Sequence, residues 1–191
     1  MARLRTPEGS KKIARGQARR SRATPRERGP RQLPHPGGVP ESAVPSTYSN
    51  LVYHLIFATK RRAPSIEDSW RDRIHGYLGG TIKGLGGTPL AIGGVADHVH
   101  ILVALRPSHC LADLVRDVKK ASSTWVHKEM VRTGFAWQEG YAAFTVGPEG
   151  VEAARAYVAN QEEHHRRVDS REELLRICRE MGIEVELRFF E

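Results

Sequence analysis

The sequence predicts an α+β chain: a ferredoxin-like βαββαβ domain with a central antiparallel sheet, helices on one face, and an extra C-terminal helix and strand. Three features predict it. Two short aliphatic runs, TPLAIGGVA (88–96) and DHVHILVAL (97–105), are joined so tightly that an antiparallel pair is the simplest arrangement. One helical period precedes that pair and another follows it. β-rich runs at 50–60 and 134–147 flank the block and complete the strand–helix–strand–strand–helix–strand order.

In chain order, NLVYHLIFATK (50–60) is the first strand, closed by Arg61, Arg62 and the turn at Ala63-Pro64. Ile66, Trp70, Ile74, Leu78, Ile82 and Leu85 then recur at helical spacing, with Ser65 placed to cap this first helix and Gly86-Gly87 to end it. After the strand pair, Ser108 offers the N-cap of a second helix, whose inner stripe is Leu111, Leu114, Val115, Val118, Ser122, Trp125 and Val126. GFAWQEGYAAFTVG (134–147) reads as a fourth strand with a bend at Gly140, and Pro148-Glu149-Gly150 turns into a third helix through Val168. A short helix near Arg171 to Met181 and a last strand, IEVELRFF (183–190), end the chain.

With 191 residues, 39% of them hydrophobic, the chain suffices for one domain with a real core. No run approaches the roughly 20 apolar residues of a membrane helix, and the start lacks the apolar stretch of a secretory signal. The expectation is a soluble, cytoplasmic protein with no membrane partner. Cys110 and Cys178 are too few for a disulfide framework and read as free thiols. The net charge of +8 resides in residues 1–45, which hold 11 Lys and Arg against 3 Asp and Glu, while the remainder is balanced. That stretch is rich in Arg, Pro and Gly and follows no apolar period, which predicts a disordered basic tail over 1–46 ahead of one domain over 47–191. As an arm it would add non-specific phosphate contacts; as an upstream extension from a misplaced start codon it would have no role.

On a strand, alternate side chains share a face, so His98, His100, Leu102 and Ala104 lie on one side and Val99, Ile101, Val103 and Leu105 on the other. The aliphatic side can pack beneath the helices. The other carries two imidazoles about 7 Å apart at their Cα atoms, from which converging rings can grip one cation. The plain alternative is a pair of half-buried polar residues bonded to backbone. A nucleophile and a third ligand bear on that choice, and the helical run VEAARAYVANQEEHHRRV (151–168) offers both types, with Tyr157 and Gln161 four apart on one face. Tyrosine is a weak nucleophile at its usual pKa of about 10 and needs a cation or a base to activate it. A glutamine carbonyl oxygen suits Mg²⁺ or Mn²⁺. Alone, the pair reads equally as a packed tyrosine beside an exposed glutamine.

Taken together, NLVYHLIFATKRR, GGVADHVHILV, VKKASSTWV, FAWQEGYAAFTV and AYVANQEEHHRR resemble, in order, the single-tyrosine HUH transposases of the insertion-sequence 200/605 class and their relatives associated with repetitive extragenic palindromes. The resemblance runs from about Asn50 to Phe190. It implies a homodimeric enzyme that cuts and rejoins single-stranded DNA beside a hairpin, with a divalent metal, Mg²⁺ or Mn²⁺, and no nucleotide cofactor. By position, it makes His98 and His100 the metal-binding pair, Gln161 the third metal ligand and Tyr157 the nucleophile of a 5′-phosphotyrosine intermediate. In such enzymes the tyrosine helix can serve the partner subunit's metal site. Gln161, which palindrome-associated relatives often lack, favours the insertion-sequence side.

Arg61, Arg62, Arg116, Lys119 and Lys120 are the candidates for DNA backbone contacts, and equally plain surface charges. His54, His164 and His165 are placed to approach the site, or to be solvated. Two other functions fit the same residues: a metal-dependent nuclease or phosphodiesterase that forms no covalent intermediate, and a catalytically dead protein that binds single-strand hairpins. A ferredoxin-like sheet that binds RNA places aromatics on its central strands. Histidines stand there in this chain, which favours catalysis.

Overall fold

The computed structural model describes residues 48–166 and 169–184; the basic tail and residues 185–190 of the expected last strand lie outside them. Four strands, β1 (Leu51–Ala58), β2 (Thr88–Gly94), β3 (His98–Leu105) and β4 (Ala142–Thr145), form an antiparallel sheet in the order β2-β3-β1-β4. Helix α1 (Asp68–Gly84) joins β1 to β2 and α2 (Leu111–Glu129) joins β3 to β4, which gives the ferredoxin-like order expected. Among the described residues no helix is long and apolar enough to cross a membrane.

Strand alternation divides the sheet into two unlike faces. Leu55, Phe57, Val99, Ile101 and Val103 point to one side, where Trp70, Ile74, Leu78 and Ile82 of α1 and Leu114, Val115, Val118 and Val126 of α2 pack on them. This is the main core. The other face carries Val52, His54, Ile56, His98, His100 and Leu102, and the C-terminal helices cover it: α3 (Val151–Ala159), α4 (Gln161–His165) and α5 (Ser170–Glu180). The helices of the βαββαβ unit thus take one face and the C-terminal additions the other.

The helix ends differ in detail from expectation. Gly86 ends α1 as predicted: at φ 86° its N–H bonds to Lys83 O while the Gly87 N–H bonds to Ile82 O, the pairing of a glycine-capped helix end. Ser65 does not cap its start. The fully buried Ile66 ties its N–H to Ala96 O, which keeps the chain extended until Glu67 caps the helix without a side-chain bond. Ser108 is displaced likewise, because His109 Nδ1 accepts from Arg106 N at 3.0 Å in a tight turn and Cys110 becomes the N-cap.

The fourth strand is shorter than its β-rich sequence suggests. Phe135 and Trp137 plunge into the core, Trp137 lying edge-on to Phe57 at 4.8 Å and donating from Nε1 to Ser122 Oγ at 2.9 Å. Residues 134–141 therefore run off the ladder, apart from one bridge between Thr59 and Trp137, and pairing with β1 resumes only at Ala142. The third helix is not continuous to Val168: it ends at Ala159, and Asn160 separates it from α4.

Helix α3 lies so close to the sheet that only glycine fits beneath it. A Cβ built on Gly93 would stand 1.9 Å from Val158 O. Gly93→Ala therefore has to lift α3, an overpacking cost of about 1–3 kcal/mol. The expected result is a lower thermal midpoint together with faster amide exchange confined to Val151–Ala159; unchanged exchange there would contradict this packing.

Candidate active site

The histidine face of β3 becomes a buried polar cluster. In the antiparallel register His98 pairs with Ala58 and His100 with Ile56, while Gly93 of β2 lies opposite His100 on its other side. These small or compact neighbours leave room above the strand for two imidazoles, which are 2% and 0% exposed. Their ring centroids are 5.0 Å apart.

Each ring is held from outside by its Nδ1. His98 Nδ1 bonds Asp97 Oδ1 at 2.7 Å, and Asp97 in turn pairs with Arg62 at 3.5 Å. His100 Nδ1 bonds His54 Nε2 at 2.9 Å. Both Nε2 atoms then face the same interior space, buried and without a hydrogen-bond partner. An outer hydrogen bond that fixes the ring and frees the inner nitrogen is the usual support of a metal-bound histidine. Burial drives the His100 pKa down to about 3 and the His54 pKa to about 4, so both rings are neutral near pH 7 and His100 is in the form that binds a metal.

His164 and His165 of α4 reach the same space, and α5 adds Glu173, 1% exposed. Glu173 Oε2 lies 2.9 Å from His165 Nε2, 3.5 Å from His100 Nε2 and 3.9 Å from His98 Nε2, while Oε1 is 3.3 Å from His164 Nε2. His98, His100, His165 and Glu173 offer ligand atoms all within 4.8 Å of one another, a buried group able to bind a metal ion. Burial alone would raise the Glu173 carboxyl, but the adjacent imidazoles of His100 and His165 and the hydrogen bond from Tyr157 outweigh that and hold it well below the ordinary carboxylate range.

Tyr157 borders this cluster within one chain. Its ring is 5.8 Å from that of His100 and 5.9 Å from that of His54, and its hydroxyl donates to Glu173 Oε1. Burial, then Glu173, pushes the phenol above its usual pKa, so it stays protonated until something polarises its target. None of the other four tyrosines is near: Tyr48 is solvent-exposed, Tyr53 packs on the main core, Tyr77 stacks on Trp125 at 4.9 Å, and Tyr141 faces Lys119. Gln161, 1% exposed, also adjoins the cluster. Its Nε2 is 3.4 Å from Glu173 Oε1, and its Oε1 is buried with no hydrogen-bond partner.

The five basic candidates fare unequally. Lys119 Nζ is bound to the carbonyl oxygens of Gln138 at 3.1 Å, Glu139 at 3.3 Å and Gly140 at 2.6 Å, and burial lowers its pKa to about 8. Arg62 serves Asp97, and Arg116 pairs with Asp113 and Asp117. Arg61 and Lys120 are exposed. Arg116, Lys119 and Lys120 line one groove of about 370 Å³ between α2 and residues 136–141, with Gln138 and Tyr141 on its far wall.

Sequence reasoning missed Asp97 and Glu173. Asp97 directly precedes His98, where an acceptor for a ligating histidine is useful. Glu173 stands on the inner stripe of α5 with Leu174, Ile177 and Cys178, an odd place for a carboxylate unless something awaits it.

Two outcomes follow from this geometry. Asp97→Ala releases the His98 ring and should weaken Mn²⁺ binding about 10- to 100-fold in calorimetry, the usual effect of losing such a partner. His54 and His100 resist protonation until pH falls to about 4 and about 3, whereas in the unfolded chain they take up protons near 6.5. Their contribution is therefore full above about pH 6.5 and lost as pH falls below it, on the order of 3 kcal/mol for His54 at its limit. Thermal melts across that window should show the decline, and His54→Gln should flatten it.

A family model described as transposase, IS200-like, matches residues 47–161, more than half of the chain. A candidate transposase of Deinococcus radiodurans R1, known from its crystal structure, is 27% identical with a TM-score of 0.51, over 60% of this chain and 93% of that one. A structure reported as a REP-associated tyrosine transposase bound to a REP hairpin is 11% identical with a TM-score of 0.49, over 64% of this chain and 73% of that one. No curated protein matches.

Proposed function

This chain belongs to the IS200-like transposase family, and from that premise we propose that it cuts and rejoins single-stranded DNA beside a hairpin through a 5′-phosphotyrosine on Tyr157. The observation that supports it most is the Tyr157 ring standing 5.8 Å from His100, beside the inward Nε2 atoms of His98 and His100, which lack hydrogen-bond partners. His98 and His100 are the metal-binding pair and Gln161, with its unpartnered carbonyl oxygen, the third ligand. A bound Mg²⁺ or Mn²⁺ supplies a Lewis acid for the scissile phosphate.

Tyr157 Oη attacks the phosphorus, the bond to the 3′ oxygen breaks, and the phenolic proton is released while the leaving oxygen takes one up. The products are a tyrosyl 5′-phosphate and a free 3′-hydroxyl. Attack by that hydroxyl, or one from another strand, reverses the step and returns the tyrosine. The phosphodiester energy stays in the covalent link, so no nucleotide cofactor is required.

Arg61 and Lys120, with Arg116 along the α2 groove, contact the DNA backbone, while Lys119 and Arg62 act mainly by holding the 138–140 loop and Asp97. Residues 1–46 serve as a basic tail ahead of the domain over 47–191. The working form is a homodimer in the cytoplasm.

The deciding experiment incubates the full chain with Mn²⁺ or Mg²⁺ and a labelled hairpin oligonucleotide from the DNA flanking its gene, followed by a denaturing protein gel. A metal-dependent shifted band is expected from the wild type and none from Tyr157→Phe. Cleavage without the band would instead support a hydrolase, and binding without cleavage a dead hairpin binder. Lys120→Ala should lower the salt slope of DNA binding by about one without altering sequence preference.

A further inference from the structure

The Glu173 carboxylate spans the two places that a scissile phosphate has to occupy. One oxygen accepts from the Tyr157 hydroxyl; the other faces the inner nitrogens of His100 and His98 at 3.5 and 3.9 Å. Resting on the metal reading given above, we infer that Glu173 is an internal stand-in for the substrate phosphate: a metal ligand in the DNA-free enzyme that also holds the tyrosine hydroxyl, and that DNA displaces.

The geometry around it suits a cation. Asp97 is acceptor-only as a carboxylate, so His98 Nδ1 carries a proton toward it and the inner Nε2 is the atom left to bind a metal. That nitrogen faces Glu173 Oε2 at 3.9 Å, and a metal ion between them would make both of them ligands. His100 faces the same oxygen from its other side, and His165 comes closer still, at 2.9 Å. With the Gln161 carbonyl oxygen, the set then consists of imidazole nitrogens, one amide oxygen and one carboxylate, a composition that suits Mn²⁺.

The remainder of α5 is built to deliver this group. Ile177 and Cys178 are buried, Leu174 half-buried, and they dock against Ile56, Phe144 and Tyr157. Glu173 lies four residues before Ile177, on the same side of the helix. Asp169 accepts from the backbone N–H groups of Arg171 and Glu172 at 2.8 and 3.3 Å and fixes the start of α5 one turn ahead of the carboxylate. A carboxylate carried into an apolar seam by a capped, docked helix is placed there at a desolvation cost that solvated glutamates avoid.

A substrate mimic has a signature that a permanent ligand lacks, since its loss weakens metal binding and strengthens substrate binding. The test uses the full chain with Tyr157→Phe, which cannot cleave, with and without Glu173→Gln, Glu173→Asp or His98→Ala. Mn²⁺ affinity is measured by calorimetry without DNA, the ligand set by the visible absorption of bound Co²⁺, and hairpin-oligonucleotide affinity in saturating Mn²⁺. Loss of an outer partner already costs about tenfold or more, so Glu173→Gln should weaken DNA-free Mn²⁺ binding at least about tenfold and change the Co²⁺ spectrum. Glu173→Asp, which keeps the carboxylate, should recover part of both, and Glu173→Gln should bind the oligonucleotide more tightly. Unchanged Mn²⁺ affinity and spectrum in Glu173→Gln, with binding still lost in His98→Ala, would overturn the inference and leave the metal reading intact. Weaker binding of both metal and DNA would make Glu173 a permanent ligand and also overturn it. Mn²⁺ binding indifferent to His98 would remove the metal reading itself.

Discussion

A buried imidazole has two nitrogens to satisfy, and this protein buries two such rings side by side in the middle of a sheet. That requirement organises the second face of the molecule. The outer nitrogen of each ring is met from within the sheet layer, by the neighbouring Asp97 in one case and by His54 on the adjacent strand in the other. The inner nitrogens are left to whatever lies above. Everything placed there, from the tyrosine to the two α4 histidines and the α5 carboxylate, is polar and converges on the same small space.

The polar interior is affordable because the walls around it are apolar and closely packed. Val158 descends onto Gly93 until backbone meets backbone, bringing Tyr157 to the height of the rings. One turn later the chain breaks at Asn160, whose N–H reaches both Ala156 O at 3.1 Å and Tyr157 O at 3.3 Å. Tyr157, Gln161, His164 and His165 recur at helical spacing across that break, so one short segment supplies a tyrosine, a glutamine and two histidines to the cluster.

The face of β3 that carries the histidines was legible in the sequence, since a strand alternates and aliphatic residues fill every other position. So were the succession of strands and helices along the chain, the two inner helices and the glycine end of α1, all local patterns with a local cause. Glu173 was not legible as a partner: 75 positions separate it from His98, and nothing in the period of a charged, short helix says which strand lies under it. The surroundings of Lys119 were not legible for a related reason: three carbonyl oxygens of a loop some 20 residues away hold its ammonium. The cap of α1 and the length of β4 were set by buried side chains nearby, Ile66, Phe135 and Trp137, and the cap of α2 by the turn that His109 closes on Arg106, overriding the propensities of Ser65, the 134–141 run and Ser108.

The two thiols sit in contrasting surroundings: Cys110 is exposed at the start of α2, whereas Cys178 lies in the seam beneath α5, where burial raises its pKa. Only the thiolate reacts with an alkylating reagent, so Cys110 is modified promptly and Cys178 only as often as its helix lifts from the sheet. The chain thus carries its own two-speed clock, in which the slow cysteine counts the openings of the segment that bears Glu173 and the fast one supplies the reference.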